Sequence, residues 1–352
     1  MPDLETSPIM FAYPGDLDTR TGGYIYDKRL LGELGRQEVH VGRLPLGDGF
    51  PQPAPDTMRN AETRLRALAP GTRVIIDGLA YGAMGDIAEM LASRLRIFAL
   101  VHHPLAFETG IPPAEAEILR ISETRALAFA ERVITTSSTT ARTLVEHFGV
   151  DHECIAVAPP GTDEKPLARG SGTRKVRLLA VGSVTPRKDF ATLARALGGL
   201  YDLPWHLDIA GSLDRSPDAV RKLRAAISEG GIGERVALLG EVDEVGLNRL
   251  YSQADLFVSS SLYEGYGMAL VEAIAWGLPI AAARGGAVAD ILPSDAAFLA
   301  APGDASSMAS ALRRVIENDA LRHRLRAGAI EARARLPRWP DTASIIRDVV
   351  GT

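Results

Sequence analysis

Residues 262–279 run Leu262-Tyr-Glu-Gly-Tyr-Gly-Met-Ala-Leu-Val-Glu-Ala-Ile-Ala-Trp-Gly-Leu-Pro279, and they decide the fold. The preceding segment, Asp-Leu-Phe-Val-Ser-Ser-Ser at 255–261, has the short apolar run of a buried β-strand. Met268–Trp276 has helical periodicity, and Gly277 with Pro279 stops it. The pattern therefore predicts a strand, a glycine-rich loop and a helix.

The loop carries the groups that a phosphate and a sugar require. Gly265 and Gly267 have no side chains, so a ligand can approach the backbone closely. The free N–H groups of the following helix start favour a phosphate. Glu264 and Glu272 lie on either side of that helix start, and carboxylates accept hydrogen bonds from sugar and ribose hydroxyls. The alternative is an ordinary strand-loop-helix unit with two solvated acids.

A nucleotide-sugar would use every part of this segment. The expected donor-binding residues here are Glu264, Gly265, Tyr266, Gly267, Met268, Ala269 and Glu272.

Composition limits the class of protein. The 352 residues suffice for two domains, and 46% hydrophobic with 24% charged residues is typical of a soluble globular protein. A net charge of −5 argues against a nucleic-acid binder. Cys154 is the single cysteine, which excludes a disulfide framework and a cysteine-based metal site.

No segment predicts membrane insertion. Met1–Ser7 is acidic and lacks a long apolar core, so a signal peptide is not expected, and no apolar run reaches the roughly 18 residues of a spanning helix. We expect a cytoplasmic protein. Arginines between Arg59 and Arg96 leave two interpretations open: scattered solvated residues, or a basic face for peripheral contact with the inner membrane surface.

Short apolar runs alternate with longer amphipathic segments, which indicates βαβ units and parallel sheets. Helices are expected at Gly23–Arg36 and Ala114–Ala130. In the first half, the predicted strands are Ile9–Tyr13, Glu38–Arg43, Arg73–Asp77, Ile97–His102, Arg132–Thr136 and Cys154–Ala158. In the second half, they are Val176–Val181, Trp205–Ala210, Val236–Leu239, Leu256–Ser260, Ile280–Ala283 and Phe298–Ala300.

A segment rich in Pro, Gly and charge, Pro159–Arg174, separates the halves and is the best linker in the chain. Two α/β halves joined by a linker indicate two Rossmann-like domains. Ligands of such sheets bind at the carboxyl ends of the strands, so we expect the active site in the interdomain cleft.

The combination of Glu264-x7-Glu272, Gly-Leu-Pro279 and the strand Ile280–Ala283 ending in Gly285-Gly286 resembles the retaining GT-B glycosyltransferases of family 4, glycosyl transferases group 1. The resemblance implies two Rossmann-like domains with parallel sheets. It implies an acceptor domain at 1–165, a nucleotide-sugar donor domain at 172–335, and a C-terminal helix at 336–352 that returns toward the first domain.

Leu178–Phe190 is a strand followed by a loop with two adjacent cations, Arg187 and Lys188. Without the resemblance, a solvated basic turn is the alternative. The family has a Gly-Arg…Lys-Gly loop here that contacts the donor diphosphate. Gly182 and Lys188 match it, whereas Ser183 replaces the Arg and Asp189 the second Gly. The resemblance therefore implies that Arg187 takes the Arg role.

Ala99–Pro104 ends a buried strand with two histidines. The ordinary interpretation is that one imidazole lies in the core and the other at the surface. A zinc site is not expected, because no third ligand lies nearby in sequence. The family has a histidine at this strand end that assists at the reaction centre. The resemblance gives that role to His102, with His103 as the fallback.

Two further loops follow from the resemblance. The segment after the first strand contains Gly22, Gly23 and Tyr24 and resembles the family's acceptor-side loop. Asp16-Leu-Asp18 in the same segment lies in the wrong loop for a metal-binding D-x-D motif.

The loop after Val236–Leu239 corresponds to the family's loop that contacts the nucleotide base, so Glu241 and Val242 are assigned to donor binding. Arg284-Gly-Gly286 either closes the sugar pocket or forms a surface turn.

These features predict transfer of a hexose from a UDP- or GDP-linked donor to a hydroxyl of a glycolipid, polysaccharide intermediate or small metabolite, with retention. The expected catalytic residues are His102, Glu264, Lys188 and Arg187. No metal and no cofactor other than the donor co-substrate are expected. Two alternatives stay open: a nucleotide-sugar epimerase or hydrolase on the same fold, and a non-catalytic sugar-nucleotide binding protein.

Overall fold

The computed structural model describes residues 9–351. Met1–Ser7, where a signal peptide is not expected, lies outside the described residues. The described chain forms two compact units. Unit 1 takes in the residues up to Gly161 together with those from Pro337 onward, and unit 2 is Thr162–Leu336.

Unit 1 is built on a sheet of six parallel strands in the order β2-β1-β3-β4-β5-β6. The strands are β1 Ile9–Tyr13, β2 Val41–Pro45, β3 Arg73–Asp77, β4 Arg96–Val101, β5 Arg132–Thr135 and β6 Ile155–Val157. The helices are α1 Gly22–Arg36, α2 Pro55–Arg66, α3 Gly78–Tyr81, α4 Ala88–Ala92, α5 Pro113–Leu127, α6 Ser138–Phe148 and, after unit 2, α14 Trp339–Val350.

Unit 2 repeats the plan with six parallel strands in the order β12-β11-β10-β7-β8-β9. The strands are β7 Val176–Val181, β8 Trp205–Ala210, β9 Val236–Gly240, β10 Leu256–Ser259, β11 Ile280–Ala283 and β12 Ala297–Ala300. The helices are α7 Phe190–Gly198, α8 Pro217–Glu229, α9 Glu244–Gln253, α10 Met268–Ala275, α11 Val288–Ile291, α12 Ala305–Glu317 and α13 Asp319–Ala332.

Both sheets are buried on both faces, which explains their continuous apolar strands. Every residue of β3, β10 and β11 is buried. Each unit has two apolar clusters, made by side chains that alternate along the strands. Two doubly wound parallel sheets confirm the predicted fold class.

One strand prediction was shifted. Glu38–Arg43 was expected, but β2 begins at Val41 and extends to Pro45. Glu38 follows α1 with φ +63°, a left-handed turn that ends the helix before the chain can extend.

The end of the predicted linker packs against unit 2. The Ala168 side chain is buried, its N–H donates to the Trp276 carbonyl at 2.8 Å, and Arg169 N–H donates to Ser252 O at 2.8 Å. Residues from Thr162 onward therefore contribute to unit 2, and the boundary lies before the predicted positions 165 and 172.

Helix α14 completes the apolar cluster under α1 in unit 1. Gly161 lies directly against Trp339, where a Cβ would come within 2.2 Å of the Trp339 backbone nitrogen. The buried guanidinium of Arg73 donates to the carbonyls of Val350 and Gly351, at 3.2 and 2.6 Å, and so caps the helix.

The arginines considered for a basic membrane face are largely committed within the protein. Arg73 is buried, Arg59 pairs with Asp56, and Arg66 pairs with Glu62 at 3.1 Å. Within residues 9–351, no helix combines the length and apolarity that crossing a bilayer requires.

Candidate active site

The first part of the site is the loop that leaves β7. Gly182 has φ +149°, and a Cβ there would lie 2.9 Å from Lys188 Cε, so the lysine side chain passes directly over the glycine. Ser183 follows, and a short 3₁₀ helix, Pro186–Lys188, presents the two cations. Asp189 adopts φ +43° and its side chain caps α7. A left-handed backbone favours Gly, Asn or Asp, so an Asp that also caps α7 is suited to this position.

Both cations converge on Glu264. Lys188 Nζ donates to Glu264 Oε1 at 2.6 Å, and Arg187 Nη1 donates to Oε2 at 3.3 Å. Ser261 Oγ also donates to Oε1 at 2.6 Å. Arg187 makes a further bond to the Tyr263 carbonyl at 3.0 Å, which ties the loop after β7 to the loop after β10.

Glu264 is ionised although it is only 6% exposed. Burial raises the pKa of a carboxyl group, but the charges of Lys188 and Arg187 and the hydrogen bonds from Lys188 and Ser261 outweigh it. The pKa of Glu264 therefore lies below its usual value. The site holds a buried anion and two cations in hydrogen-bonded contact.

The backbone around Glu264 is fixed by the two glycines after β11. Glu264 pairs with Gly286 in an isolated parallel bridge, and Ala287 N–H donates to Glu264 O at 2.8 Å. A Cβ on Gly285 would lie 2.3 Å from Leu262 O, and one on Gly286 would lie 2.3 Å from Glu264 O. The Gly285-Gly286 pair therefore supports the glutamate loop and is not a free surface turn.

Helix α10 begins next to Glu264. Its N-cap residue, Gly267, has φ +89° and supplies no side-chain cap, so the first N–H groups at Met268 and Ala269 remain for a ligand. Gly265 and Tyr266 lie in the loop between, both partly exposed, and burial raises the pKa of the Tyr266 phenol. The helix start thus offers backbone donors and the positive end of a dipole.

Glu272 lies one turn further along α10, beside a different lysine. Lys165 Nζ is 3.8 Å from Glu272 Oε1 and also donates to Asn248 Oδ1 at 3.1 Å. Burial raises the pKa of Glu272, opposed by the Lys165 charge and a hydrogen bond from Tyr251. Its side chain keeps 28% exposure, so a ligand can reach the carboxylate.

The loop assigned to the base follows β9. Gly240 turns with φ +67°, Glu241 is exposed and Val242 is partly buried. Asp243 caps α9 by accepting from Gly246 N–H at 2.7 Å. Glu241 and Val242 therefore stand at the carboxyl end of an edge strand of the sheet.

In unit 1, the loop from β1 to α1 surrounds a cavity of about 300 Å³. Gly15 has φ +60°, and its N–H donates to Gly47 O at 2.8 Å. Polar side chains line much of this cavity, among them Asp16, Asp18, Lys28 and Arg43. Lys28 Nζ donates to Asp18 at 2.5 Å, so Asp18 is engaged by a lysine.

The start of α1 packs against His102. Gly22 and Gly23 open the helix, and a Cβ on Gly23 would lie 3.3 Å from His102 Cδ2. Tyr26 contacts the imidazole edge-on at 5.0 Å between ring centroids. Tyr24 packs back on the loop, because its hydroxyl lies 2.7 Å from where a Gly15 Cβ would be.

His102 stands immediately after β4 and meets two buried acids. Its Nε2 is 2.9 Å from Asp27 Oδ1 and 3.9 Å from Asp77 Oδ2. Asp27 is fully buried, whereas the His102 side chain is 21% exposed. In the described part of the chain, these three residues are also the one group of acids and histidines whose donor atoms, within 4.8 Å of one another, admit a metal ion.

The electrostatics of this cluster are opposite to those around Glu264. Burial raises the pKa of Asp27 to about 7 and that of Asp77 well above the usual range. Burial also lowers the pKa of His102, although the Asp77 charge opposes this. At neutral pH, His102 is a neutral imidazole beside a carboxyl pair that retains a proton.

Two family models together match almost the whole described chain. The "Glycosyl transferase 4-like domain" matches residues 15–161, and "Glycosyl transferases group 1" matches residues 162–332. The chain belongs to glycosyltransferase family 4.

Curated members of family 4 resemble the chain at moderate identity. A D-inositol 3-phosphate glycosyltransferase of Nocardioides sp. is 30% identical over 283 residues, which cover 74% of this chain and 61% of the relative. An MMP alpha-(1->4)-mannosyltransferase of Mycolicibacterium hassiacum is 28% identical over 289 residues, 77% of this chain and 68% of the relative. The chain thus spans about two-thirds or less of the length of these relatives.

Solved structures of glycosyltransferases share the fold. Sucrose-phosphate synthase from Thermosynechococcus elongatus has a TM-score of 0.82 at 21% identity, covering 97% of this chain and 98% of that protein. Anabaena HepE in complex with UDP and glucose has a TM-score of 0.77 at 17% identity, covering 98% and 100%. These likenesses confirm the GT-B fold of this family-4 chain.

Several predicted residues of the family-4 site come together in unit 2. Gly182, Arg187, Lys188 and Glu264 share one network, whereas Glu272 lies with Lys165 and Tyr251. The sequence analysis did not single out Ser261 as a partner of Glu264, although its position at the end of β10, three residues before the glutamate, was a signal for such a contact. It also missed Lys165, because a lysine in a predicted linker gave none.

The largest omission lies in unit 1, where Asp27 and Asp77 were not singled out. Asp27 occupies the apolar face of α1, between the buried Tyr26 and Leu30. An acid on a core face is a detectable signal. Asp77 ends β3, which places it at the carboxyl edge of the sheet beside His102.

Proposed function

We propose that the protein is a retaining glycosyltransferase that moves a hexose from a nucleotide-diphosphate sugar to an acceptor hydroxyl. The observation that carries this proposal is the convergence of Lys188 and Arg187 on Glu264, beside the uncapped start of α10. A leaving diphosphate concentrates negative charge, and two fixed cations with a helix end stabilise it.

Glu264 prepares this site before the donor arrives. Two cations held close together without an anion would repel each other, and the buried carboxylate offsets that repulsion. It also fixes both side chains, because each donates to a different carboxylate oxygen. The arrangement is preorganised, so little reorientation is needed when charge develops on the diphosphate.

Glu272 is the proposed ribose contact. Its carboxylate is partly exposed and lies 3.8 Å from the ammonium group of Lys165. Glu241 and Val242 provide the base contact at the edge of the sheet. HepE, a structural neighbour, binds UDP and UDP-glucose. UDP-sugars are therefore the first donors to test, followed by GDP-sugars.

The acceptor class is proposed from unit 1. Several relatives are D-inositol 3-phosphate glycosyltransferases. In this chain, the cavity beside β1 is lined by both acidic and basic side chains. Lys28 and Arg43 suit a phosphate, while Asp16 suits hydroxyls. A small phosphorylated polyol fits this lining. Glycolipid and polysaccharide acceptors are the other classes to screen.

Retention follows from a mechanism without a protein nucleophile. The bond from the anomeric carbon to the diphosphate oxygen breaks as the sugar passes through an oxocarbenium-like state, and the acceptor oxygen bonds to that carbon on the same face. The acceptor's hydroxyl proton passes to the departing diphosphate oxygen. Lys188, Arg187 and the α10 start stabilise the departing charge, and the resemblance to the family assigns His102 to the reaction centre. No metal is needed for this step, since the cations supply the positive charge.

One experiment separates this proposal from its rivals. UDP- and GDP-sugars are incubated with and without inositol 3-phosphate and a panel of other hydroxyl acceptors, and the products are resolved by mass spectrometry and NMR. Transfer with an unchanged anomeric configuration supports the proposal. Conversion of the sugar without acceptor would identify an epimerase, release of free sugar a hydrolase, and binding without turnover a sensor.

A further inference from the structure

Two buried acids, Asp27 and Asp77, lie beside His102, and the proposed transfer reaction gives them no role. Asp27 is 0% exposed and lies on a helix face otherwise filled by Tyr26, Leu30, Leu31 and Leu34. Within residues 9–351, no lysine or arginine pairs with Asp27, whereas Lys188 and Arg187 both pair with Glu264. A buried acid without a cation destabilises a fold, and an apolar residue of similar shape would not.

The hydrogen bonds explain how the acid is tolerated. Asp27 Oδ1 lies 2.9 Å from His102 Nε2, and an ionised Asp27 at this distance accepts a hydrogen carried by that nitrogen. Among residues 9–351, Asp27 Oδ2 is buried and receives no N–H or hydroxyl donor. Asp77 lies beside the same imidazole, with its Oδ2 3.9 Å from His102 Nε2, and burial raises its pKa well above the usual value, so a protonated Asp77 is the donor left for Asp27.

Asp77 itself is held by the backbone. It caps α3, and its Oδ1 accepts from Leu79 N–H at 2.6 Å. The strand end that carries Asp77 pairs with β4, whose last residue precedes His102. Asp77 is therefore a fixed donor, and Asp27 accepts from Asp77 on one side and from His102 on the other.

We infer that Asp27 and Asp77 are positioning residues that hold His102 in one orientation and in one tautomer, with the proton on Nε2 and a free lone pair on Nδ1. His102 Nδ1 makes no hydrogen bond to the described protein residues, so it is the acceptor atom that the imidazole offers to a substrate hydroxyl. Gly23 and Tyr26 pack against the ring and limit its rotation. This inference rests on the proposed role of His102 at the reaction centre.

Substitutions of the same shape test the inference. Leu has the branched shape of Asp without an acceptor, whereas Asn keeps an acceptor oxygen and loses the charge. Glu33→Gln is the matched control, because Glu33 is a buried acid of the same helix that pairs with Arg36 instead. The full-length protein is labelled with ¹⁵N-histidine, and the His102 signals are assigned by their loss in His102→Gln.

The expected wild-type spectrum shows His102 as a single Nε2–H tautomer. Asp27→Leu should give the averaged tautomers of a free imidazole and lower kcat toward, but not beyond, the roughly hundredfold loss expected for His102→Ala, with the donor KM within threefold. Asp27→Asn should keep the tautomer and stay within about tenfold of wild-type kcat, since its oxygen still accepts from Nε2. Glu33→Gln should change neither spectrum nor kcat.

Thermal unfolding adds a readout that a structural role would not give. At pH 8, Asp27→Leu should unfold at a higher temperature than wild type while it is less active. A lower unfolding temperature with an unchanged tautomer would overturn the inference, as would an Nδ1–H tautomer in wild type. Stoichiometric Zn²⁺ binding that disappears in Asp27→Leu would also overturn it, in favour of a metal site.

The tautomer does not depend on turnover, so the two proposals can fail separately. A locked tautomer in a protein without transferase activity would sustain the positioning device and refute the function. Transfer activity with averaged tautomers in wild type would do the reverse.

Discussion

The cluster around Glu264 in unit 2 and the cluster around His102 in unit 1 solve the burial of acids in opposite ways. Glu264 has two cations and a hydroxyl as partners, and its pKa falls below the usual range. Asp27 and Asp77 have each other and a histidine, and their pKa values rise. The first cluster keeps its charge, whereas the second keeps a proton.

The difference shows what each cluster can do. A fixed array of charges stabilises charge that develops on a ligand, because its dipoles need not reorganise. A group that retains a proton near neutral pH donates and orients hydrogen bonds. We therefore propose that the unit 2 cluster holds an anion and that the unit 1 cluster orients one imidazole. Substitutions in each cluster test this difference.

The largest effect is expected for Lys188→Ala. Loss of one preorganised donor to developing charge lowers turnover by about 10²–10³-fold. Activity of the wild type should survive EDTA, and Mg²⁺ or Mn²⁺ should not rescue the variant. Lys175→Ala, an exposed lysine next to β7, is the control and should retain activity. A wild type killed by chelation and restored by manganese would contradict the assignment of the diphosphate site.

His102→Ala should follow, with turnover lowered by roughly 10²-fold through loss of one positioned polar group. His103→Ala should cost much less, because the hydrogen bond to Asp27 belongs to His102. Both variants are compared by initial rates at saturating donor, with circular dichroism to confirm folding. An inactive His103→Ala beside an active His102→Ala would show that the assignment is off by one residue.

The two glutamates of unit 2 should separate in nucleotide binding. Glu272→Ala removes a charged acceptor for the ribose, worth roughly 1.5–3 kcal/mol, so nucleotide and nucleotide-sugar affinity should fall about tenfold or more. Glu264→Ala leaves Lys188 and Arg187 free to contact the diphosphate, so binding of the free nucleotide should be spared, but both cations lose their fixed positions and turnover should fall. Isothermal titration calorimetry measures both. Equal loss of nucleotide affinity in the two variants would refute the division of roles.

The smallest effect concerns stability and pH. Glu123 is buried in unit 1, accepts from Leu105 N–H at 2.8 Å, and burial raises its pKa from 4.5 to about 8. The folded state therefore holds a proton that the unfolded chain releases above 4.5, so this residue's contribution to stability falls as pH rises from 4.5 to about 8. Glu123→Gln lacks this dependence. Its Tm relative to wild type should rise by several degrees across that range, at roughly 2–4 °C per kcal/mol.

Glu264→Gln should show the opposite pH dependence of Tm, because the pKa of Glu264 is lowered whereas that of Glu123 is raised. Because the folded pKa of Glu264 is lowered, its contribution to stability is present above 4.5 and is lost as pH falls through the folded pKa. The deficit of Glu264→Gln should therefore be largest at neutral pH and shrink in acid. Parallel curves for the two variants would mean that Glu264 is not stabilised as an anion by Lys188 and Arg187.

Local pattern was enough to predict most of the fold. The apolar runs of β1, β3, β7, β8 and β11 gave their bounds directly, since strands buried on both faces are continuous in sequence. The glycine-rich loop and the start of α10 also followed from local signals. The shift of β2 could not be predicted, because it depends on a left-handed turn at a glutamate.

The site was predictable only where its residues adjoin a motif. Lys188 and Glu264 stand in recognisable loops, but their direct contact depends on strands β7 and β10 pairing across 76 residues of sequence. The partnership of Asp27 with Asp77 and His102 joins α1 to the ends of β3 and β4. Sequence shows each acid, but which side chains meet is fixed by strand order, which no single segment contains.

The insertion of unit 2 within unit 1 sets an order of synthesis. Trp339 and the rest of α14 fill the core beneath α1, yet the ribosome makes them only after all of Thr162–Leu336. Unit 2 is contiguous and can finish folding on its own, whereas the earlier segment waits for the helix that closes its core. A nascent chain arrested before Trp339 would thus lack the ring that packs on Tyr26 in the folded protein, and this incomplete core is a target for chaperones at a defined stage of translation.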